Sequence, residues 1–578
     1  MSRMISITAS ARSGGRRGPS VPVPGAGDVT EPAFVSAAVA NAAPTKIVLT
    51  YSEALSATLT GSITVGGATR TVSTQTVVGS TVEVVVNAAY ASTDTITVTV
   101  PSGCVKDAAG NSAAPLSAQA VTNNVAPAGA FSTDFDAFYA EGFTLDNSTT
   151  LYARPTQAKP TVKSTGLSDF KYTDQVFGTK VYLATNVNDF TDPDGPQGHV
   201  RNDYSKRQMW NADESRFIAL ASNSHWHLYN ADTFEHINVP GHTSGRMPGI
   251  RGSDCDPIWH PTDANKLWYT ADFGGLTYYE LDITTGESSP LFTFAGRVPS
   301  NISTAAAFLM SGEGRPSNDG RYWCFLATTA GGSMVGLMTY DRVADTITSS
   351  VATTNKPNWT GMSQSGQFAI VGWNNYSSGL TISAAAARPL STADGTRAYH
   401  GGVLTGSFTQ LDNSNQHGDL GYDKAGNEVY ISSSYSPFMD VGDGPTYMKR
   451  LSDGTTHVFT SPNLNAYAGS TNGMHFSCTN FNRPGWAVIT YESGTGNTYW
   501  RDGSILIVEL TSTSPRVYRV AHHQSIADAG SGGGGYFSSP LAAPNRDLTR
   551  IMFGSDFRAA TGPFNQFMVG LPSDCFPV

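Results

Sequence analysis

Charge is scarce in this chain. Lys, Arg, Asp and Glu make up only 14% of its 578 residues, and the net charge is −10. Binding phosphates takes a basic surface, so nucleic acid is excluded as a partner. Long apolar runs are missing as well. None approaches the roughly 18–20 residues needed to cross a bilayer, so no membrane span is expected. Cysteine is sparse. The five residues (Cys104, Cys255, Cys324, Cys478, Cys575) are odd in number, widely spaced and without a CxxC pair. A zinc structural site and a disulfide framework are therefore disfavoured, and buried or half-buried free thiols are expected. No nucleophile elbow, HExxH, phosphate-binding loop or dinucleotide fingerprint occurs.

Glycine is plentiful, at 59 residues, alongside many Ser, Thr and Asn. With so little charge, that composition favours an all-β protein rich in loops. One short pattern recurs, a polar turn followed by an aromatic or aliphatic strand: WNADESRFIALAS, WHPTDANKLWYTA, RPSNDGRYWCFLA, GMSQSGQFAIVGW, GYDKAGNEVYISS, FNRPGWAVIT and APNRDLTRIMFGS. Aligned on Phe217, Leu267, Tyr322, Phe368, Val429, Ala487 and Ile551, the copies lie 50, 55, 46, 61, 58 and 64 residues apart. A unit recurring at roughly 40–50 residues, lengthened by loops, is one blade of a β-propeller. Seven copies predict a seven-bladed ring over residues 170–578. The last copy has only three recognisable strands, so QVFGTKVYLAT (175–185) is expected to supply its fourth and close the ring. The insertions after Phe368, Val429 and Ala487 and the GSGGGG run within 525–536 are the long loops where binding would be placed.

Residues 29–125 alternate apolar and polar in short runs (KIVLTYSEAL, TVVGSTVEVVVN, DTITVTV), which predicts a β-sandwich. EPAFVSAAVANAAPTKIVLTYSEAL at 31–55 and VKDAAGNSAA at 105–114 resemble bacterial immunoglobulin-like domains of surface and phage structural proteins. The resemblance implies a spacing or attaching role without catalysis. Asp107 and Asn111 suggest a calcium turn, although Asp-Ala-Ala-Gly-Asn is equally ordinary turn chemistry. Residues 126–169 form a connector whose aromatic run, FSTDFDAFYAEGF, is expected to pack on the propeller or cover a mouth. Residues 1–28 carry Arg12, Arg16, Arg17, Pro19, Pro22 and Pro24, with the arginines after a short apolar stretch rather than before it. They predict an extended basic docking arm rather than a secretion signal.

Chemistry is expected where the innermost strands converge. Asp256, Glu313, Asn358, His417, His475 and Ser539 precede their reference positions by 11, 9, 10, 12, 12 and 12 residues, and Asp419 lies beside His417. Pseudo-symmetry gathers them near one funnel, the arrangement of a small-ligand or glycan site. His522 and His523 lie on the approach to the seventh copy. A His/carboxylate cluster binds a divalent cation or transfers protons near neutral pH. Polar residues at such positions also bond to neighbouring blades and hold a ring together, so both readings stand at this point. His225 and His227 share a strand face, with no third ligand visible.

The stretches EGRPSNDGRYWCFLA, PNWTGMSQSGQFAIV, HGDLGYDKAGNEVYI, GMHFSCTNFNRPGWAVIT and RDLTRIMFGSDF resemble secreted bacterial propeller proteins. More distantly they are similar to seven-bladed polysaccharide lyases, including oligogalacturonate lyases. That resemblance implies His417, His475 and His522 as metal-binding or proton-abstracting groups, with Arg315 or Arg483 as the cation facing an acidic sugar. Three functions follow. The first is a virion-surface component of fibre, collar or decoration type, joined to other virion proteins through its arm and Ig-like domain and displaying a propeller to a surface polysaccharide or a protein. The second is a polysaccharide lyase acting on acidic glycans. The third is a secreted bacterial propeller protein.

Overall fold

The computed structural model describes residues 28–576 apart from 41–44, 89, 91–93, 125–131, 243, 374–394, 413–416, 435–443, 461, 463, 465–473, 493–498, 513, 526–537 and 559–562. Residues 1–27 of the expected docking arm therefore lie outside the described residues. So does most of each long loop. The described residues are all-β: strands and turns, with single-turn 3-10 segments such as Asp136–Phe138 and Ser300–Ile302. Among the described residues no helix is long and apolar enough to cross a membrane. The chain divides into two compact units at residues 127 and 128.

The first unit holds seven strands: β1 (Phe34–Ala40), β2 (Lys46–Tyr51), β3 (Thr64–Gly66), β4 (Val72–Val78), β5 (Thr81–Val86), β6 (Ile96–Val100) and β7 (Leu116–Asn124). They pair in the order β3-β6-β7-β1-β2-β5-β4. All neighbours are antiparallel except β1 and β7, which run parallel. Alternation in the sequence becomes alternation in burial. Every second residue of β2 and β5 is buried, and Val39, Ile47, Leu49, Val82, Val84 and Val98 form a core of zero exposure. The Asp107–Asn111 turn is tied by its own side chains. The Asn111 amide N–H donates to Asp107 Oδ1 at 2.8 Å and Asn111 Nδ2 to Oδ2 at 2.7 Å, while Gly110 supplies a φ of +96°.

The second unit is a propeller-like succession of antiparallel sheets. Five separate four-stranded sheets follow one another, from Ile258–Trp259 through Val517–His522, each with its strands paired in chain order. The recurring turn has a physical signature: the first turn residue donates its N–H to the carbonyl opening the next strand. The bonds are Asn211 to Arg216, Ser317 to Tyr322, Ser363 to Phe368, Asp423 to Asn427 and Asn545 to Arg550, all 2.8–3.1 Å. Phe217, Leu267, Tyr322, Phe368, Val429, Ala487 and Ile551 all fall on the second strand of a group.

The remaining strands form one ten-stranded sheet built from both ends of the unit. Lys180–Leu183 pairs antiparallel with Phe564–Gly570, placing Val181 opposite Val569. An early strand thus completes the last group, as the sequence within 175–185 predicts. His199–Arg201 also pairs with Phe564–Gly570, in parallel, and this joins the first and last groups. The aromatic connector packs onto the same place. Phe135 is fully buried beside Tyr182, at 5.9 Å between ring centres, and the Tyr139 hydroxyl accepts the Lys180 N–H at 2.8 Å. All five cysteines are free and buried.

Candidate functional site

The segment Asn202–Gln208, following the strand His199–Arg201, organises the centre of the second unit. Asn202 donates to the Leu541 carbonyl, Arg207 to those of Pro257 and Gly312, and Gln208 to that of Thr479. Tyr204 reaches His417, and Lys206 reaches Glu313 and the Trp359 ring. One short segment touching residues beside the innermost strands of six sheets lies where those sheets converge. Asp203 fixes it internally through a 2.7 Å ion pair with Arg207.

Around Tyr204 and Lys206 several expected residues meet. Glu313 uses both carboxylate oxygens, accepting from Lys206 Nζ and from Asn358 Nδ2, each at 2.8 Å. Lys206 is almost wholly buried, with 1% side-chain exposure, and its ammonium sits 4.3 Å from the Trp359 ring centre. Burial works to raise the Glu313 pKa, but Lys206 and the two nearby histidines outweigh it and hold it below the ordinary value. The Tyr204 hydroxyl lies 2.7 Å from His417 Nδ1, and the His417 and His475 rings are 4.4 Å apart. His417 is exposed to solvent on one side and crowded by protein on the other. That crowding and His475 push its pKa down to about 4, partly offset by Glu313 and Glu492. It is therefore neutral near pH 7 and can accept the tyrosine proton at Nδ1. His475 Nδ1 lies 3.2 Å from Glu492 Oε1 without the alignment of a hydrogen bond. Burial raises the Glu492 pKa, and His475 and Ser539 together lower it further than burial lifts it.

Glu313, Asn358, His417, His475 and Ser539 thus come together. The other expected residues are engaged elsewhere. Asp256 has no exposure; it accepts from the Met310 and Gly312 N–H groups and the Tyr278 hydroxyl, and burial raises its pKa to about 6. Asp419 takes the Cys478 N–H at 2.7 Å and pairs with Arg315 at 3.0 Å. Arg315 also donates to the carbonyls of Lys206 and Leu420. Arg483 donates to the Ser573 carbonyl and lies over the Phe576 ring. His522 is 3.0 Å from Asp174 and stacks on Phe177, on the outermost strand of its sheet. His227 stacks on Phe190 and meets His236 at 3.1 Å.

Sequence reasoning missed Tyr204, Lys206, Trp359 and Glu492. NDYSKRQ is a charged run in a chain poor in charge, which was a usable signal, and Trp359 adjoins Asn358. Glu492 simply ends a strand and carries no signal. Among the described residues, the acidic or His/Cys groups close enough to share a metal ion are Asp28, Glu53 and Asp107, with ligand atoms within 4.8 Å; all three belong to the first unit.

Residues 28–133 match the family model of the bacterial Ig-like domain. No curated protein matches the chain. Among solved structures, an oligogalacturonate lyase in complex with manganese is 12% identical, covering 70% of this chain and 96% of its own, with a TM-score of 0.45. An oligogalacturonate lyase from Vibrio parahaemolyticus is also 12% identical, covering 70% and 97%, with a TM-score of 0.46. The WD40 domain of Neurospora crassa Pan2 is 9% identical, covering 68% and 94%, with a TM-score of 0.37.

Proposed function

We propose that this protein is a non-enzymatic display component. In this reading residues 170–578 form a seven-bladed ring presenting a glycan-binding mouth, residues 29–125 are a spacer, residues 126–169 dock onto the ring, and residues 1–28 attach the molecule to a larger particle. The particle we favour is a virion, whose surface the chain would join through its arm and Ig-like domain. The observation that carries the glycan reading is the cluster of Glu313, Asn358, Lys206, His417 and His475 around Tyr204 and Trp359. Sugars are recognised by such mixed donors and acceptors set beside aromatic faces. Binding is favoured over cleavage because a lyase needs a cation free to face the substrate carboxylate. At this cluster Lys206 is paired with Glu313, and of the two arginines expected from the sequence Arg315 is paired with Asp419 and Arg483 is held by the Ser573 carbonyl, while Arg546 lines a separate cavity that none of Tyr204, Glu313, His417 or His475 lines.

A second reading, a depolymerase of acidic glycans, draws on one observation: the Tyr204–His417 pair has the composition of a proton-transferring couple. Both readings are tested by binding and cleavage assays on neutral and uronic-acid polysaccharides, with His417→Ala and His475→Ala combined. The display reading expects binding without product, and loss of binding in the double variant. Formation of unsaturated sugar product by the unmodified chain would replace it with the lyase. Attachment is tested separately, since removing residues 1–28 should abolish incorporation into the particle.

A further inference from the structure

A cavity of about 50 Å³ is lined by Gln208, Trp259, Arg315, Asn318, Phe481 and Arg546 among others, and by none of Tyr204, Glu313, Asn358, His417 or His475. That is several times the roughly 10–15 Å³ one water needs on this measure, and enough for a small polar head group. Three of the cations beside it are neutralised: Lys206 by Glu313, Arg207 by Asp203 and Arg315 by Asp419.

Arg546 is different. It is only 8% exposed, and its backbone is fixed, since its carbonyl accepts the Asn482 N–H at 2.8 Å. Yet among the described residues its guanidinium has no hydrogen bond and no ion pair. Its Nε is sealed from water without an acceptor, and its guanidinium carbon lies over the Phe481 ring, 5.6 Å from the ring centre. Glu214 acts on it electrostatically, but the Glu214 oxygens are taken by Asn545 Nδ2 and the Asp547 N–H. Burial lowers the Arg546 pKa to about 10, which leaves it charged at neutral pH. An uncompensated buried guanidinium is costly, and the direct remedy is an anion that fits its fork.

We propose that this cavity binds the carboxylate of a small monoanionic ligand, held by Arg546 with its apolar part against Phe481 and Trp259. A planar carboxylate matches one guanidinium through two parallel N–H···O bonds. A phosphate dianion would call for a second uncommitted cation, and Lys206, Arg207 and Arg315 are already spoken for. Pro257, Pro261 and Pro316 complete an apolar wall suited to a short aliphatic or aromatic body. This site does not depend on the glycan reading, because the two share only Lys206.

The test is ligand-observed NMR and calorimetry on the full chain in a buffer free of carboxylates, with acetate, propionate and benzoate against acetamide, benzamide and inorganic phosphate. The carboxylates should bind saturably, the amides should not, and phosphate should bind more weakly. Arg546→Gln should abolish carboxylate binding. Arg546→Lys, which keeps the charge but loses the fork, should weaken it at least about tenfold, the worth of one charge-assisted hydrogen bond. Phe481→Leu should weaken benzoate more than acetate. Should Arg546→Gln fail to fold, the other two variants decide. Absence of carboxylate binding to the unmodified chain, equal binding of acids and amides, tighter binding of phosphate, or unchanged affinity in Arg546→Lys would each overturn the proposal.

Discussion

A buried charge survives only where something answers it, and Lys206 shows the rule at the scale of one residue. Its ammonium has 1% side-chain exposure and depends on Glu313. Glu313→Gln should cost about 3 kcal/mol, because it strands a desolvated cation. Combining it with Lys206→Met should recover most of that loss, and a double-mutant cycle by chemical denaturation measures the difference. His523 makes the complementary case for a group that must stay neutral. Its Nε2 faces the Tyr491 carbonyl at 2.9 Å, and its Nδ1 accepts the Ser525 N–H at 3.0 Å. A second ring proton would point at a donor, and burial, the largest cause, helps push the pKa down to about 3. In the unfolded chain the same ring titrates near 6.5. Below that pH the unfolded state gains a proton that the folded state refuses. The stability His523 confers is thus complete above pH 6.5, falls as pH drops toward 3, and is level below. His523→Gln keeps a donor and an acceptor but cannot titrate. It should flatten the stability–pH curve across that window by one proton, about 1.4 kcal/mol per pH unit, as read from denaturation midpoints.

At the scale of elements, Lys180–Leu183 completes the last strand group of the second unit. It lies between Tyr172–Thr173 and Phe564–Gly570, and Val181, Tyr182 and Leu183 have no exposure. Val181→Pro fixes φ and deletes an N–H inside that paired strand, so a loss of at least about 3 kcal/mol and visible aggregation are expected. Val458→Pro, on the outer strand Thr456–Val458 with 37% exposure, should cost far less. Guanidinium midpoints beside size-exclusion profiles make the comparison. This strand was legible in the sequence because alternation and length mark a strand whatever its partner. The repeated turns were legible because each sets a polar turn before an apolar strand, and in five of them an Asn, Ser or Asp makes the same backbone bond. The site was only half legible. Spacing fixes how far along a strand a residue sits, which gathered Glu313, Asn358, His417 and His475, but not what its side chain faces. Asp256 and Asp419 share that spacing and turn to backbone N–H groups instead. Tyr204 and Lys206 lie between two paired strands of one sheet, His199–Arg201 and Arg216–Ala221, in a segment with no period to read.

At the scale of the whole molecule, the chain contains two sets of cores. One cluster holds Val39, Leu49, Val84 and Val98, entirely within the first unit. The other hydrophobic clusters draw all their residues from Phe135 onward. Folding cooperativity follows shared burial, so units without a common core should melt separately. The first unit, at about 100 residues, has one small core. The second has early and late strands interlocked in one sheet, so its unfolding must release both ends together. Calorimetry of the full chain should therefore show two transitions. The fragments 28–127 and 128–578, expressed apart, should each reproduce one of them within a few degrees, the shift expected for a change of about 1 kcal/mol in domains of these sizes. A single transition in the full chain, or a fragment 128–578 that fails to fold, would mean that the first unit takes part in the stability of the second rather than serving as a spacer.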